Sequence, residues 1–157
     1  MSDPTKHVDS IAELAKEHGF TVGAAESLTG GAVSSALAMG SEAADWYHGC
    51  VVSYSRAVKE DLLGVTAEKL VTERCAREMV EGAARVLEVD AAVSTTGAGG
   101  PGTEEGNPPG TVHVGVLVRN ELTCHELHLD GDPAEVVEAA TERSLGLLLE
   151  AMRAALG

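Results

Sequence analysis

The sequence is poor in aromatic residues and cysteine, and it lacks a long apolar run. Aromatic residues make up 3% of the 157 residues, so a core must be built from Ala, Val, Leu and Ile. The three cysteines, Cys50, Cys75 and Cys124, are far apart and odd in number, which argues against a disulfide framework or a zinc site. No apolar run approaches the roughly 20 residues of a membrane span. The polar N-terminus does not resemble a signal peptide. We therefore expect a cytoplasmic protein with no membrane partner and no metal.

Positive charge is also scarce. The chain has 11 Lys and Arg against 25 Asp and Glu residues, which gives a net charge of −14. Nucleic acids are bound through clustered Lys and Arg, so they are excluded as expected partners, whereas a small-molecule ligand is not. Hydrophobic residues at 44% and charged residues at 23% are typical of a globular chain. The length predicts a single domain over residues 1–157. Alanine-rich helices allow a homo-oligomer without requiring one.

Hydrophobic periodicity predicts alternating helices and strands. The predicted helices are Val8–His18, Ala32–Met39, Ala57–Leu63, Thr72–Leu87 and a last one from Pro133 to about Leu156. The predicted strands are Phe20–Ala25, Trp46–Tyr54, Ala91–Thr96, Thr111–Val118 and Leu122–Leu129. This order favours an α/β fold, a three-layer α/β/α sandwich with a mixed, mostly parallel sheet. Sites in such sheets gather at the carboxyl ends of the strands.

The turn after the first strand is the most informative segment. Ser27 follows an apolar strand and precedes a Thr-Gly-Gly turn that opens a helix. Unpaired N–H groups and the helix dipole favour negative charge at such a position. Ser27 could be a nucleophile whose oxyanion those N–H groups stabilise, or the turn could bind a phosphate. The same residues also fit a helix N-cap with glycines for close packing.

Two further segments carry candidate chemistry. Tyr54 ends a strand and Lys59 lies just over a turn into the next helix, so both could face one cleft. A buried lysine with a lowered pKa can act as a general base and a tyrosine can relay a proton. The spacing alone favours the other interpretation, a surface lysine paired with a nearby acid, because most lysines are exposed. The segment Ser94–Gly102 offers hydroxyls and bare N–H groups but lacks the lysine of a phosphate-binding P-loop. It opens a loop that ends at Gly110, long enough to suggest function.

These segments in this order resemble the CinA carboxy-terminal domain family, whose members include nicotinamide-nucleotide amidases of the PncC type. The matching segments are Ala25–Gly31, Gly49–Lys59, Leu63–Val65, Thr96–Pro101 and Pro108–Val112. The resemblance as a whole covers nearly the whole chain. The resemblance implies the stand-alone form of the family, without the amino-terminal domain of its longer members, and a three-layer α/β/α fold. The family name reflects an association with competence, but the net charge argues against direct DNA contact.

The implied reaction converts nicotinamide mononucleotide to nicotinic acid mononucleotide and ammonia, a step of pyridine nucleotide recycling, without a cofactor. By resemblance Ser27 is the nucleophile, Lys59 its base and Tyr54 the third catalytic residue. The predicted substrate-binding residues come from the same segments and are Glu26, Thr29, Gly30, Gly31, Arg56, Thr96, Gly97, Ala98, Gly99 and Gly100. Backbone N–H groups near Thr29–Gly31 or in Gly97–Gly100 would stabilise the oxyanion.

The chain departs from the family pattern where the substrate is expected. Arg56 stands where active amidases commonly have asparagine, and Pro133 and Val137 stand where the family often has arginine. If those arginines contact a phosphate, two charge-assisted interactions are lost, unless Arg56 replaces them. Two hypotheses follow. The chain is an amidase acting on nicotinamide mononucleotide or a related amide, or it is a non-catalytic nucleotide-binding or assembly module that kept the fold.

Overall fold

The computed structural model describes residues 2–157 and contains one five-stranded sheet covered on both faces by helices. The helices are α1 (Val8–His18), α2 (Ala32–Ala38), α3 (Arg56–Asp61), α4 (Glu73–Leu87) and α5 (Pro133–Ala154). The strands are β1 (Val22–Glu26), β2 (Tyr47–Val52), β3 (Ala91–Gly97), β4 (Thr111–Val118) and β5 (Glu121–His128). A short 3₁₀ helix, Ala43–Asp45, was not predicted.

The sheet is mixed, in the order β2-β1-β3-β4-β5. β1 pairs in parallel with both β2 and β3, whereas the β3–β4 and β4–β5 pairs are antiparallel. Within the described chain, β4 therefore runs against the other four strands. Residues 119 and 120 join β4 to β5, and the positive φ angles of Arg119 (47°) and Asn120 (71°) give the tight turn that such a hairpin requires.

The core lies in two layers. Helices α1, α2 and α5 cover one face of the sheet over a cluster that includes Val22, Ala24, Val93 and Val114. Helix α4 covers the other face, where Ala25 packs with residues of α4 and of the segment before it. The predicted three-layer α/β/α fold is confirmed.

The helix ends follow local chemistry. Gly19 ends α1 in the left-handed conformation with φ 73°, and Thr72 caps α4 by accepting the Cys75 N–H. At α5, Asp132 and Glu135 form a reciprocal capping box, and Pro133 occupies the first turn. These caps place the first turn of α5 at a defined point beside the sheet.

The parallel register brings three segments to one edge. Glu26, the last residue of β1, pairs with Val52 of β2 and with Thr95 of β3. The residues that follow each strand therefore emerge side by side at the carboxyl edge of the sheet, where ligand sites of α/β proteins form.

Candidate active site

A cavity of about 370 Å³ lies at this carboxyl edge. Its wall contains all three of the predicted catalytic side chains. It is lined by Ser27, Leu28, Tyr54, Lys59, Leu70, Val71, Thr96, Gly97, Gly99, Gly100, Gly102, Thr103, Glu104, Pro133 and Val137.

Ser27 occupies the turn between β1 and α2. Its backbone N–H donates to the carbonyl oxygen of Thr95 at 3.0 Å, and its own carbonyl accepts from Gly30 at 3.0 Å. These bonds hold the turn while the partly exposed Ser27 side chain faces the cavity. Ser27 does not cap α2, because the position before that helix is Gly31.

Lys59 is a buried lysine, with 1% of its surface exposed. Its Nζ donates to the carbonyl oxygen of Ser53 at 2.6 Å and to that of Tyr54 at 3.2 Å. Burial lowers the pKa of Lys59, because desolvation disfavours the ammonium form. Nearby Cys75 and Glu104 oppose this shift, and Arg56 adds to it. Lys59 is therefore a buried amine that faces the cavity, as a general base requires.

Tyr54 lies two residues beyond β2 and lines the same cavity. Its side chain is 72% exposed, although it is large and aromatic. Its backbone carbonyl, rather than its hydroxyl, contacts Lys59. The phenol thus has room to meet a ligand from the open side of the cavity.

Glu26 has a different place from the one predicted. Its carboxylate is fully buried and accepts the backbone N–H groups of Gly31 at 3.2 Å, Val33 at 2.9 Å and Ser34 at 2.9 Å. The Cys50 thiol also donates to it at 3.3 Å. Glu26 does not line the cavity. The structure therefore places it at the N-terminus of α2, where a carboxylate satisfies free N–H groups, and its contact with a substrate stays a prediction.

The Thr-Gly-Gly turn is likewise structural. The hydroxyls of Thr29 and Thr95 are hydrogen-bonded at 2.8 Å and buried. The N–H groups of Gly30 and Gly31 are already bonded to Ser27 and Glu26. None of Thr29, Gly30 and Gly31 lines the cavity, and their contact with a substrate stays a prediction.

The glycine-rich loop reaches the cavity in part. Thr96, Gly97, Gly99 and Gly100, which were predicted to bind substrate, line it. Ala98 does not, because it is buried and tied to β4 through its N–H to Thr111 and its carbonyl to Gly110, at 2.9 and 2.7 Å. Leu28, Gly99 and Gly100 have backbone N–H groups with no acceptor anywhere in residues 2–157, so these cavity-lining groups are free to bind an oxyanion.

Several cavity residues were not predicted. Leu70 and Val71, which precede α4, form one wall, and the Leu70 carbonyl accepts the Thr96 hydroxyl at 2.7 Å. Glu105 ties the loop to this wall, because its carboxylate accepts the N–H groups of Leu70 at 2.9 Å and Val71 at 2.6 Å. Its neighbour Glu104 lines the cavity. The two acidic residues, flanked by glycines, were the only sequence signal for these contacts.

The positions that depart from the family pattern fall on the cavity wall or beside it. Pro133 and Val137 line the cavity from the first turns of α5. Arg56 does not line it, and its guanidinium donates to the carbonyls of Ala67 at 3.3 Å and Glu68 at 2.7 Å. These two bonds direct the Arg56 guanidinium to the segment before α4, and its contact with a substrate stays a prediction.

Neither a cluster of metal-ligating side chains nor a membrane-spanning helix is found among the residues that the structure describes. Among residues 2–157, no group of three or more His, Cys, Asp or Glu side chains is placed to hold a metal ion. Of the helices described, none has both the length and the apolar character to cross a bilayer.

Comparison with known sequences gives one consistent family. A competence-damage inducible protein of Bacillus subtilis is 34% identical over 153 residues, which cover 94% of this chain and 37% of that protein. A protein of the same name from Geobacillus kaustophilus is 40% identical over 136 residues, 83% of this chain and 33% of that protein. The chain thus spans about a third of the length of the curated relatives it matches.

Solved structures match over nearly the full length. A CinA superfamily protein of Klebsiella pneumoniae is 30% identical with a TM-score of 0.91, covering 97% of this chain and 99% of that one. An Escherichia coli superfamily protein is 27% identical, also at 0.91, over 95% and 90% of the two chains. The family model of the CinA C-terminal domain matches residues 4–152. The chain therefore belongs to the CinA C-terminal domain family.

Proposed function

We propose that this chain is an amidohydrolase that releases ammonia from nicotinamide mononucleotide or a related small amide, with Ser27 as nucleophile and Lys59 as general base. The observation that carries the proposal is the placement of Lys59, a buried amine held by two carbonyls on the cavity wall that also holds Ser27. The family resemblance supports the same pair. The substrate is a small molecule, and with nicotinamide mononucleotide the reaction would be a step of pyridine nucleotide recycling.

The two carbonyl contacts suit a lysine base. A neutral amine has two N–H bonds and one lone pair, and the carbonyls of Ser53 and Tyr54 can accept both N–H bonds. The lone pair then remains for the Ser27 hydroxyl. Desolvation favours this neutral form over the ammonium.

The reaction proceeds in two stages. In the first, Lys59 takes the Ser27 proton while Oγ bonds to the amide carbon, and the free N–H groups of Leu28, Gly99 and Gly100 stabilise the oxyanion. Lys59 then gives its proton to the leaving nitrogen as the C–N bond breaks, which releases ammonia. In the second, Lys59 takes a proton from water as the water oxygen bonds to the acyl carbon, and Lys59 then gives that proton to Ser27 Oγ as the ester bond breaks, which releases the acid and restores the free enzyme. Tyr54 orients the amide from the open side.

The test is ammonia release by purified protein, measured beside Ser27→Ala and the control Ser35→Ala. Ser35 is an exposed residue of α2 outside the cavity, so its variant should keep full activity. Ser27→Ala should lose turnover by about a thousandfold or more with an unchanged melting temperature. Full activity in Ser27→Ala would overturn the mechanism. If no amide is turned over but a nucleotide raises the melting temperature, the protein is a binding module instead.

A further inference from the structure

The charges around the cavity carry information about the substrate. Resting on the amide hydrolysis proposed above, we propose that the preferred substrate is an amide without a phosphate group, and that Glu104 and the first turns of α5 select a neutral or positively charged molecule over a phosphorylated one.

Glu104 places a carboxylate on the cavity wall. Its backbone is fixed by two hydrogen bonds with Asn107, at 3.0 and 2.9 Å. The next residue, Glu105, is bonded to the N–H groups of Leu70 and Val71. Glu104 is close enough to Lys59 to oppose the lowering of the Lys59 pKa. The negative charge of Glu104 therefore acts on groups inside the cavity. A cationic group on a substrate would be attracted to this carboxylate, and a phosphate would be repelled.

The positive charge available to a phosphate is small. Lys59 is the one Lys or Arg among the residues that line the cavity in the described chain, and two carbonyls already accept its N–H groups. The guanidinium of Arg56 is bonded to the carbonyls of Ala67 and Glu68. Neither cation is therefore placed to pair with a phosphate.

The N-terminus of α5 also disfavours an anion. Helix N-termini bind phosphate through free N–H groups, but here Pro133 has none at the first position. The Asp132 carboxylate accepts the Glu135 N–H at 2.9 Å, and the Glu135 carboxylate accepts the Asp132 N–H at 3.0 Å. A phosphate there would meet two carboxylates. Pro133 and Val137, four residues apart on one face of the helix, present an apolar surface to the cavity instead.

The experiment compares nicotinamide mononucleotide with nicotinamide riboside, which differ only in the phosphate. For the native chain we expect kcat/KM for the riboside to exceed that for the mononucleotide by about tenfold or more, the equivalent of a single unfavourable charge contact. A kcat/KM equal or higher for the mononucleotide would overturn the inference.

Two variants test the residues that carry the selection. Val137→Arg and Glu104→Gln should each raise the ratio of kcat/KM for the mononucleotide to kcat/KM for the riboside, a ratio in which any change in the pKa of Lys59 cancels. Ala134→Arg adds the same charge to the first turn of α5 at an exposed position outside the cavity, and Glu121→Gln removes a carboxylate from β5. Both controls should leave the ratio unchanged. If the controls move the ratio as much as the cavity variants do, selection by these residues is excluded.

Binding separates this inference from the reaction on which it rests. Calorimetric titration of the Ser27→Ala variant measures affinity without turnover. Tighter binding of the riboside supports the inference, and tighter binding of the mononucleotide, or no binding of either compound, overturns it. If the Ser27→Ala variant bound the riboside more tightly but the native chain released no ammonia from it, the proposed reaction would be contradicted. The preference for a substrate without a phosphate would still be supported.

Discussion

The Nζ of Lys59 donates a 2.6 Å hydrogen bond to the carbonyl oxygen of Ser53, a residue that is itself fully buried. Ser53 follows β2 and its N–H donates to the Glu26 carbonyl at 2.7 Å, so the acceptor belongs to the sheet edge. The amine is therefore positioned by the backbone, and its position depends little on neighbouring side chains.

Activity should rise with pH through the pKa of Lys59. The base must be neutral, and the neutral fraction grows as pH increases, so kcat/KM should climb with a midpoint below the 10.5 of an ordinary lysine. The charged and titratable groups that act on Lys59 are Cys75 and Glu104, which raise its pKa, and Arg56, which lowers it. Glu104→Gln should move the midpoint to lower pH, as measured with an amide substrate across the pH range.

Two outcomes would contradict a lysine base. One is a rate independent of pH across the range in which the protein stays folded. The other is retained activity in Lys59→Arg, since arginine stays protonated and cannot accept the serine proton. We expect Lys59→Arg to lose about 10²–10⁴-fold in kcat, while the control Lys16→Arg, at a surface ion pair with Glu42, keeps its rate.

Glu26 should matter for stability more than for substrate binding. In Glu26→Gln an NH₂ group replaces one acceptor oxygen and faces the N–H groups at the start of α2, which leaves buried donors unpaired. We expect the free energy of unfolding to fall by about 2–4 kcal/mol. Urea denaturation measures this loss.

The matched control is Glu17→Gln, because the Glu17 side chain is 73% exposed. Its unfolding free energy should change by less than about 0.5 kcal/mol. Equal stability of Glu26→Gln and the native chain would show that the helix end does not need the charge. If Glu26→Gln raised KM without lowering the free energy of unfolding, Glu26 would act in substrate binding and not in the stability of α2.

Much of the fold follows from local sequence signals. The predicted helix Val8–His18 and strand Thr111–Val118 match the observed elements residue for residue, because Gly19 ends the helix and strong β-branched alternation defines the strand. The other predicted bounds differ from the observed ones by two residues at most. The 3₁₀ turn at Ala43–Asp45 was missed, since three residues carry no periodic pattern.

The sequence predicted those site residues whose place in the fold depends only on the order of strands and helices along the chain. Ser27, Tyr54 and Lys59 meet because each follows the carboxyl end of a parallel strand, which element order alone indicates. The hydrogen bonds of Glu26 and Arg56 were not predicted because their partners lie on other segments. Glu26 shares a strand face with Val22 and Ala24, and that face is covered by α2.

Glu105 should hold the glycine-rich loop against the segment before α4. Its carboxylate accepts two consecutive N–H groups, and the residues that supply them, Leu70 and Val71, line the cavity. In Glu105→Gln one of the two acceptors becomes a donor, a loss of about 1.5–3 kcal/mol in the contact. The cavity wall should then be less ordered. We expect KM to rise about tenfold while kcat changes less, because the backbone hydrogen bonds that position Lys59 and Ser27 do not involve Glu105.

Hydrogen exchange distinguishes this role from a general loss of stability. In Glu105→Gln the amides of Leu70 and Val71 should exchange faster, while those of β3 and β4 keep their native rates, since the sheet does not depend on the loop. Glu121→Gln, on the edge strand, should leave all of these rates unchanged. Native exchange at Leu70 and Val71 in the Glu105 variant would mean that another contact holds the loop. Faster exchange throughout the sheet would mean that Glu105 stabilises the whole fold and does not act on the cavity alone.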